Sequence, residues 1–259
     1  AELEQSDVTI REACGNTVRN ITASPEAGVD PNEPFDVTPY AHAAFQFFLR
    51  NPICQEMGRK FKMSFSSTDK DSALSYIHDL GFIAKVKDGQ KGFKVMLGGG
   101  LGSQPRHADL MYEFIPTDQI IPLIESVLRI FDRHGERAKR LKARMKFLLK
   151  DVGLDGFLQL IEEEKLALSY HSYPISEEGF EFDRSVVDSI SVPKVDLKDV
   201  DGYEKWRNSN VYQQKQEGLF SIGIKVRLGD FYTDKARKLA SLIQRYAADE
   251  LRLTLRQDI

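Results

Sequence analysis

Hydrophobic and polar residues alternate along the segment 59–66. The odd positions hold Arg59, Phe61, Met63 and Phe65, and the even positions hold Lys60, Lys62, Ser64 and Ser66. Successive side chains of a β-strand point to opposite faces, so the pattern predicts a strand with one face of hydrogen-bond donors. Two lysines on that face repel each other unless a negative charge lies between them, which indicates an anion site. The alternative is the solvated outer face of an edge strand, where lysines discourage edge-to-edge pairing.

Apolar residues at helical spacing predict two buried helices on either side of a β-hairpin. The first helix begins near Pro39, and the second runs from Thr117, a candidate N-cap, to Phe131. Between them, alternating segments at 80–86 and 93–97 flank a turn sequence at 88–92. The pattern therefore predicts an antiparallel strand pair that leads into a cluster of glycines.

A third helix, rich in basic residues, is predicted from residue 136 to about residue 152, where Gly153 would end it. Its expected buried positions are Leu141, Met145 and Leu148. Beside them, helical spacing aligns Arg137, Arg140 and Arg144 in one stripe. Planar guanidinium groups in that position suit a buried polyanionic ligand. A nucleic-acid-binding helix is the alternative, but the chain is net acidic and offers no aromatic stacking platform nearby.

The last third of the chain predicts a separate unit. Residues 166–202 are polar and interrupted by prolines, as is typical of a connection between domains. A strand at 218–226, an amphipathic helix at 234–248 and a second strand at 251–257 follow. Because that last strand runs to the end of the sequence, we expect the chain to be a piece of a longer protein.

The composition narrows the class of protein further. The chain has 259 residues, of which 41% are hydrophobic, and this is enough for a globular core. A net charge of −3 argues against nucleic acid as a partner. Cys14 and Cys54 are too few for a disulfide framework or for the thiolates of an iron–sulfur cluster, and the histidines show no metal-ligand spacing. Without a membrane span or a targeting pattern in the sequence, we expect a cytoplasmic protein.

Two further segments hold candidate binding residues. Along 16–22, alternation places Thr17, Arg19 and Ile21 on one strand face, and an arginine between apolar neighbours needs a carboxylate or phosphate partner. A structural salt bridge and a ligand contact both satisfy that need. The second segment, 98–103, has glycines that would let the backbone approach a ligand closely. Its spacing fits neither a dinucleotide-binding loop nor a P-loop, and a tight turn is the simpler interpretation.

Taken in order, these segments resemble the first siroheme-domain repeat of the sulfite and nitrite reductases. The matching segments are TVRNITASP at 17–25, DVTPYA at 36–41, RKFK at 59–62, GGGLG at 98–102, GER at 135–137 and ARMK at 143–146. Two later segments, NVYQQKQEG at 210–218 and LRLTLRQ at 251–257, are similar to the second ferredoxin-like half-domain of that family. The resemblance covers nearly the whole chain from about Thr9.

The resemblance implies an α+β fold, in which residues 1–165 form a siroheme-binding repeat with a mixed or antiparallel sheet and residues 166–259 form a ferredoxin-like half-domain. Members of the family reduce sulfite to sulfide, or nitrite to ammonia, by six-electron chemistry at a siroheme coupled to a 4Fe–4S cluster. The expected partners are sulfite or nitrite, the remaining halves of the same polypeptide, and an electron donor such as ferredoxin or a flavoprotein.

The resemblance also implies that this sequence lacks the part of the reductase that holds the iron–sulfur cluster. The cluster cysteines belong to the second repeat of the family, which this sequence lacks, so the chain alone is expected to be an inactive fragment of the reductase. The alternative is a stand-alone protein that binds a tetrapyrrole or another polyanion without turnover. Sequence beyond this chain, with cysteines in two pairs, would favour the reductase.

The matched motifs also assign the site residues. By resemblance, Arg19, Lys60 and Lys62 are expected to bind the substrate oxyanion and to help deliver protons. The residues expected near siroheme, whose many carboxylates require cations, are Asn20, Arg59, Gly98, Gly99, Gly100, Arg137, Arg140, Arg144 and Lys146. Arg252 and Arg256 match the substrate-arginine motif of the other ferredoxin-like copy and are expected to face the cofactor by pseudo-symmetry. No residue of the chain is predicted to ligate a metal.

Overall fold

The computed structural model of the chain describes residues 4–6, 14–183, 198–246, 251–256 and 258–259. The chain divides into two compact units. The first unit consists of Ala1–Gly28 and Asn32–Glu177, and the second consists of Val29–Pro31 and Glu178–Ile259. No helix among the described residues is both long enough and apolar enough to cross a membrane.

A five-stranded mixed sheet lies at the centre of the first unit. Its strands are β1 (Val18–Ala23), β2 (Phe61–Ser66), β3 (Leu80–Lys87), β4 (Gln90–Leu97) and β5 (Asp109–Pro116). They lie side by side in sequence order, with β1, β2 and β3 parallel and with β4 antiparallel to both of its neighbours. The predicted hairpin is confirmed as β3 and β4, joined by Asp88 and Gly89, both at positive φ as a tight hairpin turn requires.

The lysine-bearing strand β2 lies inside this sheet, between β1 and β3. Its odd-numbered side chains, Phe61 to Phe65, are fully buried in the main core, as the alternation predicts. The opposite face is half-buried at Lys62 and fully buried at Ser64 and Ser66, which form hydrogen bonds to side chains of the segment 71–75. The alternative of a solvated edge strand is therefore wrong: parallel strands need a crossover connection, and residues 67–79 cross this face.

Three helices cover the other face of the sheet. They are α1 (Thr38–Phe48), α2 (Ile120–His134) and α3 (Met145–Ala167). Their buried apolar side chains form a single core with those of the sheet. The predicted helices near Pro39 and at 117–131 are confirmed as α1 and α2. Thr117 is not the N-cap of α2, because a 3₁₀ turn at Thr117–Gln119 precedes the helix and no side chain caps it.

The helix predicted from residue 136 is wrong in its first half. Residues 136–144 are irregular apart from a 3₁₀ turn at Arg140–Lys142, so its three arginines do not form a helical stripe. Leu141, expected to be buried, is 90% exposed, and without a packed apolar face a short helix is not stable. Gly153 interrupts α3 with non-helical backbone (φ 74°, ψ 162°), but the helix resumes and ends at Ala167.

The second unit contains two helices and a two-stranded antiparallel sheet. These are α4 (Val200–Asn210), β6 (Val211–Gln213), β7 (Phe220–Ile222) and α5 (Thr233–Tyr246). The predicted helix at 234–248 is confirmed as α5 up to residue 246, and residues 247–250 lie outside the described part. The strand predicted at 218–226 is shorter in the structure, where it is β7. With its mixed sheet and separate helices, the chain is an α+β protein, as expected.

The strand predicted at 251–257 is wrong for the residues described there. Residues 251–256 are irregular, and the N–H of Thr254 donates to the carbonyl of Asp258 at 3.0 Å. This hydrogen bond closes a turn where an extended strand was expected. Asp258 alone pairs with Lys225, in an isolated β-bridge. Gln257 lies outside the described residues.

Candidate anion-binding site

The topology of the sheet brings several predicted site residues to one edge. The amino ends of β1, β2 and β3 lie side by side because these strands are parallel. The carboxyl end of β4 joins them because β4 is antiparallel to β3. Lys62 near the start of β2, Asp79 just before β3 and Gly98 just after β4 therefore lie at the same edge.

Arg19 occupies a β-bulge at this edge. Val18 of β1 pairs with Phe61 of β2, and Asn20 pairs with Lys62. Arg19 is therefore the extra residue that β1 has between these two pairs. In a β-bulge, two residues of one strand lie opposite one residue of its neighbour, and the regular alternation of side chains is disturbed there. The unbroken alternation predicted for this strand is therefore wrong at Arg19.

Cationic side chains gather around the bulge in what we name the cation cluster. Its members are Arg19, Arg59, Lys60, Lys62, Arg140 and Arg144. Burial lowers the pKa of Arg59, and the neighbouring charges of Arg140 and Arg19 lower it further. Burial likewise lowers the pKa of Lys60, followed by the charge of Arg144. Like charges this close repel each other, so the arrangement favours a negatively charged occupant.

Several polar atoms around the cluster are buried and have no hydrogen-bond partner among the described residues. They are Nε and Nη1 of Arg59, Oγ1 of Thr17 and Oδ1 of Asn20. Native proteins rarely leave buried polar atoms unpaired, and an unpaired buried charge is especially costly. The free donors of Arg59 therefore indicate a ligand that brings hydrogen-bond acceptors.

The three residues expected to bind substrate form no ion pair with any described residue. Arg19 donates from Nε to the carbonyl of Gly15 at 3.0 Å and from Nη2 to Sγ of Cys14 at 3.8 Å, but forms no ion pair within the described part of the chain. The structural salt bridge considered for Arg19 is not found there. The ammonium groups of Lys60 and Lys62 make no hydrogen bond to any described residue.

Arg144 differs from the rest of the cluster because it pairs with a buried carboxylate. Its Nε and Nη2 lie 3.1 and 2.8 Å from Oδ1 of Asp79, and Nη2 lies 2.8 Å from Oδ2. Complete burial raises the pKa of Asp79, and Arg144 opposes that shift. Asp79 is absent from the residues predicted from the sequence. Its signal is an acidic residue directly before an apolar strand.

The glycine cluster packs closely instead of offering its N–H groups. The N–H of Gly98 donates to the carbonyl of Asp79 at 2.9 Å, and that of Gly100 is used in a β-bridge. A Cβ atom on Gly99 would lie 2.5 Å from the carbonyl oxygen of Tyr76. The glycines thus let this turn approach the segment before β3, and the N–H groups of Gly98 and Gly100 are not available to a ligand.

Two of the predicted cofactor-binding cations are engaged with protein groups. Arg137 forms an ion pair with the carboxylate of Asp132. Lys146 is buried, and its Nζ donates to the carbonyls of Leu101, at 3.1 Å, and Gln104. Arg252 and Arg256 belong to the second unit, and their approach to a cofactor stays a prediction.

Comparisons with known families match both parts of the chain. The family described as nitrite and sulphite reductase 4Fe-4S domain matches residues 14–168. The family described as nitrite/sulfite reductase ferredoxin-like half domain matches residues 212–259. The mixed sheet and its helices define an α+β protein. The chain belongs to the nitrite and sulfite reductase family, as the resemblance predicts.

Individual relatives agree with this family. The chloroplastic ferredoxin–nitrite reductase of Arabidopsis thaliana is 29% identical over 249 residues, which cover 94% of this chain and 39% of the relative. The assimilatory ferredoxin-dependent nitrite reductase of Haloferax mediterranei is 30% identical, with 99% and 43% covered. A ferredoxin sulfite reductase of Mycolicibacterium paratuberculosis is 33% identical over 165 residues, with 63% and 29% covered. The chain therefore spans about two-fifths of the length of these nitrite reductases.

A solved structure supports the fold over nearly the whole chain. The structure of the NirA protein of Mycobacterium tuberculosis matches with a TM-score of 0.76 at 24% identity. The match covers 99% of this chain and 42% of that protein. At this identity the similarity establishes the fold.

Proposed function

We propose that this chain provides the siroheme-binding and oxyanion-binding part of a ferredoxin-dependent nitrite or sulfite reductase. The observation that carries the proposal is Arg59, a half-buried residue whose buried Nε and Nη1 have no hydrogen-bond partner among the described residues although other cations surround it. The reactions named for the relatives support the reaction class. Because the chain spans about two-fifths of the nitrite reductases, we propose the activity for the whole protein and expect this chain alone to be inactive.

The chemistry of the cation cluster fits siroheme, an iron tetrapyrrole with many carboxylates. The guanidinium groups of Arg59 and Arg140 would bind those carboxylates, because their planar paired donors match a carboxylate. The side-chain amide of Asn20 would donate a further hydrogen bond from its Nδ2 to a carboxylate. When bound, siroheme would supply the iron site at which the oxyanion is reduced, and the electrons would come from the external donor.

Arg19, Lys60 and Lys62 would bind the oxyanion itself. None of these three side chains forms an ion pair within the described part of the chain, although the carboxylate of Asp79 attracts Lys60, so they remain available to a small anion. The ammonium group of Lys60 has a pKa lowered by burial, which makes it the readier proton donor to an oxyanion oxygen. Sulfite and nitrite are both small oxyanions, so these donors serve either substrate.

The 4Fe–4S cluster would be held by cysteines outside this sequence. An iron–sulfur cluster of this type usually takes four thiolates, whereas the sequence contains Cys14, which is exposed, and Cys54, which is buried. We propose that the remaining polypeptide of the reductase brings the thiolates. We also propose ferredoxin as the electron donor, which is the donor named for several relatives. The cytoplasmic location stays a prediction.

The test is the absorption spectrum of the reductase that contains this chain, purified from cells that make siroheme. The proposal predicts the Soret and charge-transfer bands of siroheme, and oxidation of reduced methyl viologen when nitrite or sulfite is added. A preparation with full iron–sulfur content but without siroheme bands would overturn it. The relative rates with the two anions identify the substrate.

A further inference from the structure

We infer that Asp79 is the positioning residue of the cation cluster, because it fixes Arg144 and the start of β2 before any anion binds. The inference deepens the proposed function and rests on it, since both concern the same anion site. Asp79 itself would not touch the anion. It would act through the residues that it holds.

Asp79 forms hydrogen bonds to three segments, each of which carries predicted site residues. Its carboxylate accepts hydrogen bonds from the guanidinium of Arg144 and, at 3.0 Å, from the backbone N–H of Lys62. Its backbone carbonyl accepts a hydrogen bond from the N–H of Gly98 at 2.9 Å. One residue thereby ties the irregular segment 136–144, the lysine-bearing strand and the glycine turn together.

The backbone of Arg144 is fixed as the N-cap of α3, whereas the placement of its guanidinium depends on this contact. The segment 136–144 is irregular, and its one large apolar side chain, Leu141, is 90% exposed. The ion pair is shielded from water, with the side chain of Arg144 16% exposed and that of Asp79 0% exposed. A carboxylate that accepts from two nitrogens of a guanidinium restrains both its position and its orientation.

The charge of Asp79 matters as well as its geometry. Within the described part of the chain, it is the one carboxylate that forms an ion pair with a member of the cation cluster. It therefore offsets part of the repulsion among those cations when the site is empty. Its bonds use Nε and Nη2 of Arg144, which leaves Nη1 for a ligand.

Asp79 lies at the end of a connection that is hydrogen-bonded to β2. The carboxylate of Asp71, earlier in the same connection, accepts hydrogen bonds from Oγ of Ser66 at 2.6 Å and from the N–H of Ser75 at 2.7 Å. These part-buried hydrogen bonds hold the connection against β2. Asp79 therefore lies at the end of an anchored segment, as a positioning residue requires.

The test compares Asp79→Asn with Glu164→Gln in the protein. Glu164 is a matched control, because it is also buried and accepts from two arginines, Arg129 and Arg133, outside the cluster. The probe is uroporphyrin, a metal-free polycarboxylate tetrapyrrole whose fluorescence reports binding. Both variants are expected to lower the melting temperature. Asp79→Asn alone should weaken uroporphyrin binding, by about tenfold or more.

A double variant separates positioning from general destabilisation. If Asp79 acts through Arg144, adding Asp79→Asn to Arg144→Gln should weaken binding little further. Additive losses would overturn the inference. The double variant also replaces a buried ion pair by two amides, so it stays informative if Asp79→Asn alone fails to fold.

The outcomes distinguish this inference from the proposed function. If wild-type protein binds uroporphyrin and Asp79→Asn binds it equally well, the inference is overturned and the proposed function stands. If wild-type protein does not bind uroporphyrin, both are overturned. If Asp79→Glu, which keeps the charge but displaces the carboxylate, binds as well as wild type, the positioning role is contradicted.

Discussion

Asn20 lies directly opposite Lys62 in the parallel pair of β1 and β2, one residue after the bulge at Arg19. Paired residues of neighbouring strands point to the same face, so the amide of Asn20 and the ammonium of Lys62 share one side of the sheet. The bulge adds Arg19 to the same edge. A one-residue irregularity in β1 thereby accounts for the proximity of a predicted cofactor ligand and two predicted substrate ligands.

Replacing Lys60 or Lys62 by alanine in the active reductase is expected to raise KM and lower kcat together. Each lysine would contribute both to binding the oxyanion and to stabilising charge during reduction, so kcat/KM should fall by about 100-fold. Steady-state kinetics with reduced methyl viologen measures both constants. Lys85→Ala is the control, because Lys85 lies on β3 of the same sheet and pairs with Asp69 at the surface. If the KM and kcat of Lys62→Ala equalled those of Lys85→Ala, Lys62 would be only a surface charge.

Replacing Arg59 by leucine is expected not to lower the stability of the ligand-free protein. Two buried nitrogens of the guanidinium have no partner among the described residues, so its removal relieves a desolvation cost. Arg129→Leu is the contrasting variant, because it removes the ion pair of the buried Glu125 and one of the two ion pairs of the buried Glu164, which keeps Arg133. We expect it to lower the free energy of unfolding by about 2 kcal/mol. Urea unfolding measures both, and an equal loss for Arg59→Leu would show that Arg59 has a stabilising partner.

Two glycine-to-alanine substitutions should change stability in opposite directions. A Cβ atom on Gly99 would lie 2.5 and 2.7 Å from the carbonyl oxygens of Tyr76 and His78, which cannot move cheaply. Gly99→Ala should therefore lower the free energy of unfolding by about 2–3 kcal/mol. Gly156 lies within α3, and a Cβ there would meet only Val152, at 3.9 Å. Gly156→Ala should raise stability by about 0.5–1 kcal/mol in the same assay. A neutral Gly99→Ala would contradict the close packing of the glycine turn.

His78 should make the protein less stable as the pH falls below about 6.5. Burial lowers the pKa of its imidazole, Lys62 and Arg144 lower it further, and Asp71 and the carbonyl of Leu74 oppose them. The unfolded chain therefore takes up this proton at a higher pH than the folded chain, so acid favours unfolding. One such group changes stability by at most about 1.4 kcal/mol per pH unit.

The check is the free energy of unfolding measured between pH 7.5 and pH 5.5. His78→Gln should show a shallower decline than wild type over this range, because the variant lacks the titrating group. His42→Gln is the control, since His42 lies on α1 and outside the cation cluster. Parallel curves for wild type and His78→Gln would contradict the assignment.

Most of the first unit could be predicted from local patterns. Alternation in β2, the hairpin of β3 and β4 and the apolar stripe of α2 are all local signals, and each appears where the pattern indicated. The irregular segment 136–144 could not be predicted in this way. Its helical spacing is present in the sequence, but Leu141 finds no core to pack against, and packing stabilises a helix more than spacing does.

The site was predicted less completely than the fold. Arg19, Arg59, Lys60 and Lys62 lie together, but Lys146 and Arg137 are committed to protein partners that only the tertiary structure reveals. Asp79 was missed because an acidic residue is not expected in a site for anions. Its role depends on a contact with Arg144, distant in sequence, which no local pattern encodes.

The central claim is that the cation cluster binds a polycarboxylate tetrapyrrole, and a titration of uroporphyrin into wild-type, Arg59→Gln and Lys85→Gln protein tests it most directly. Both substitutions remove one positive charge, but only Arg59 belongs to the cluster. The account predicts saturable binding of one uroporphyrin per wild-type chain, weakened about tenfold or more by Arg59→Gln and unchanged by Lys85→Gln. Absence of saturable binding to wild type, or equal weakening by the two substitutions, would contradict it.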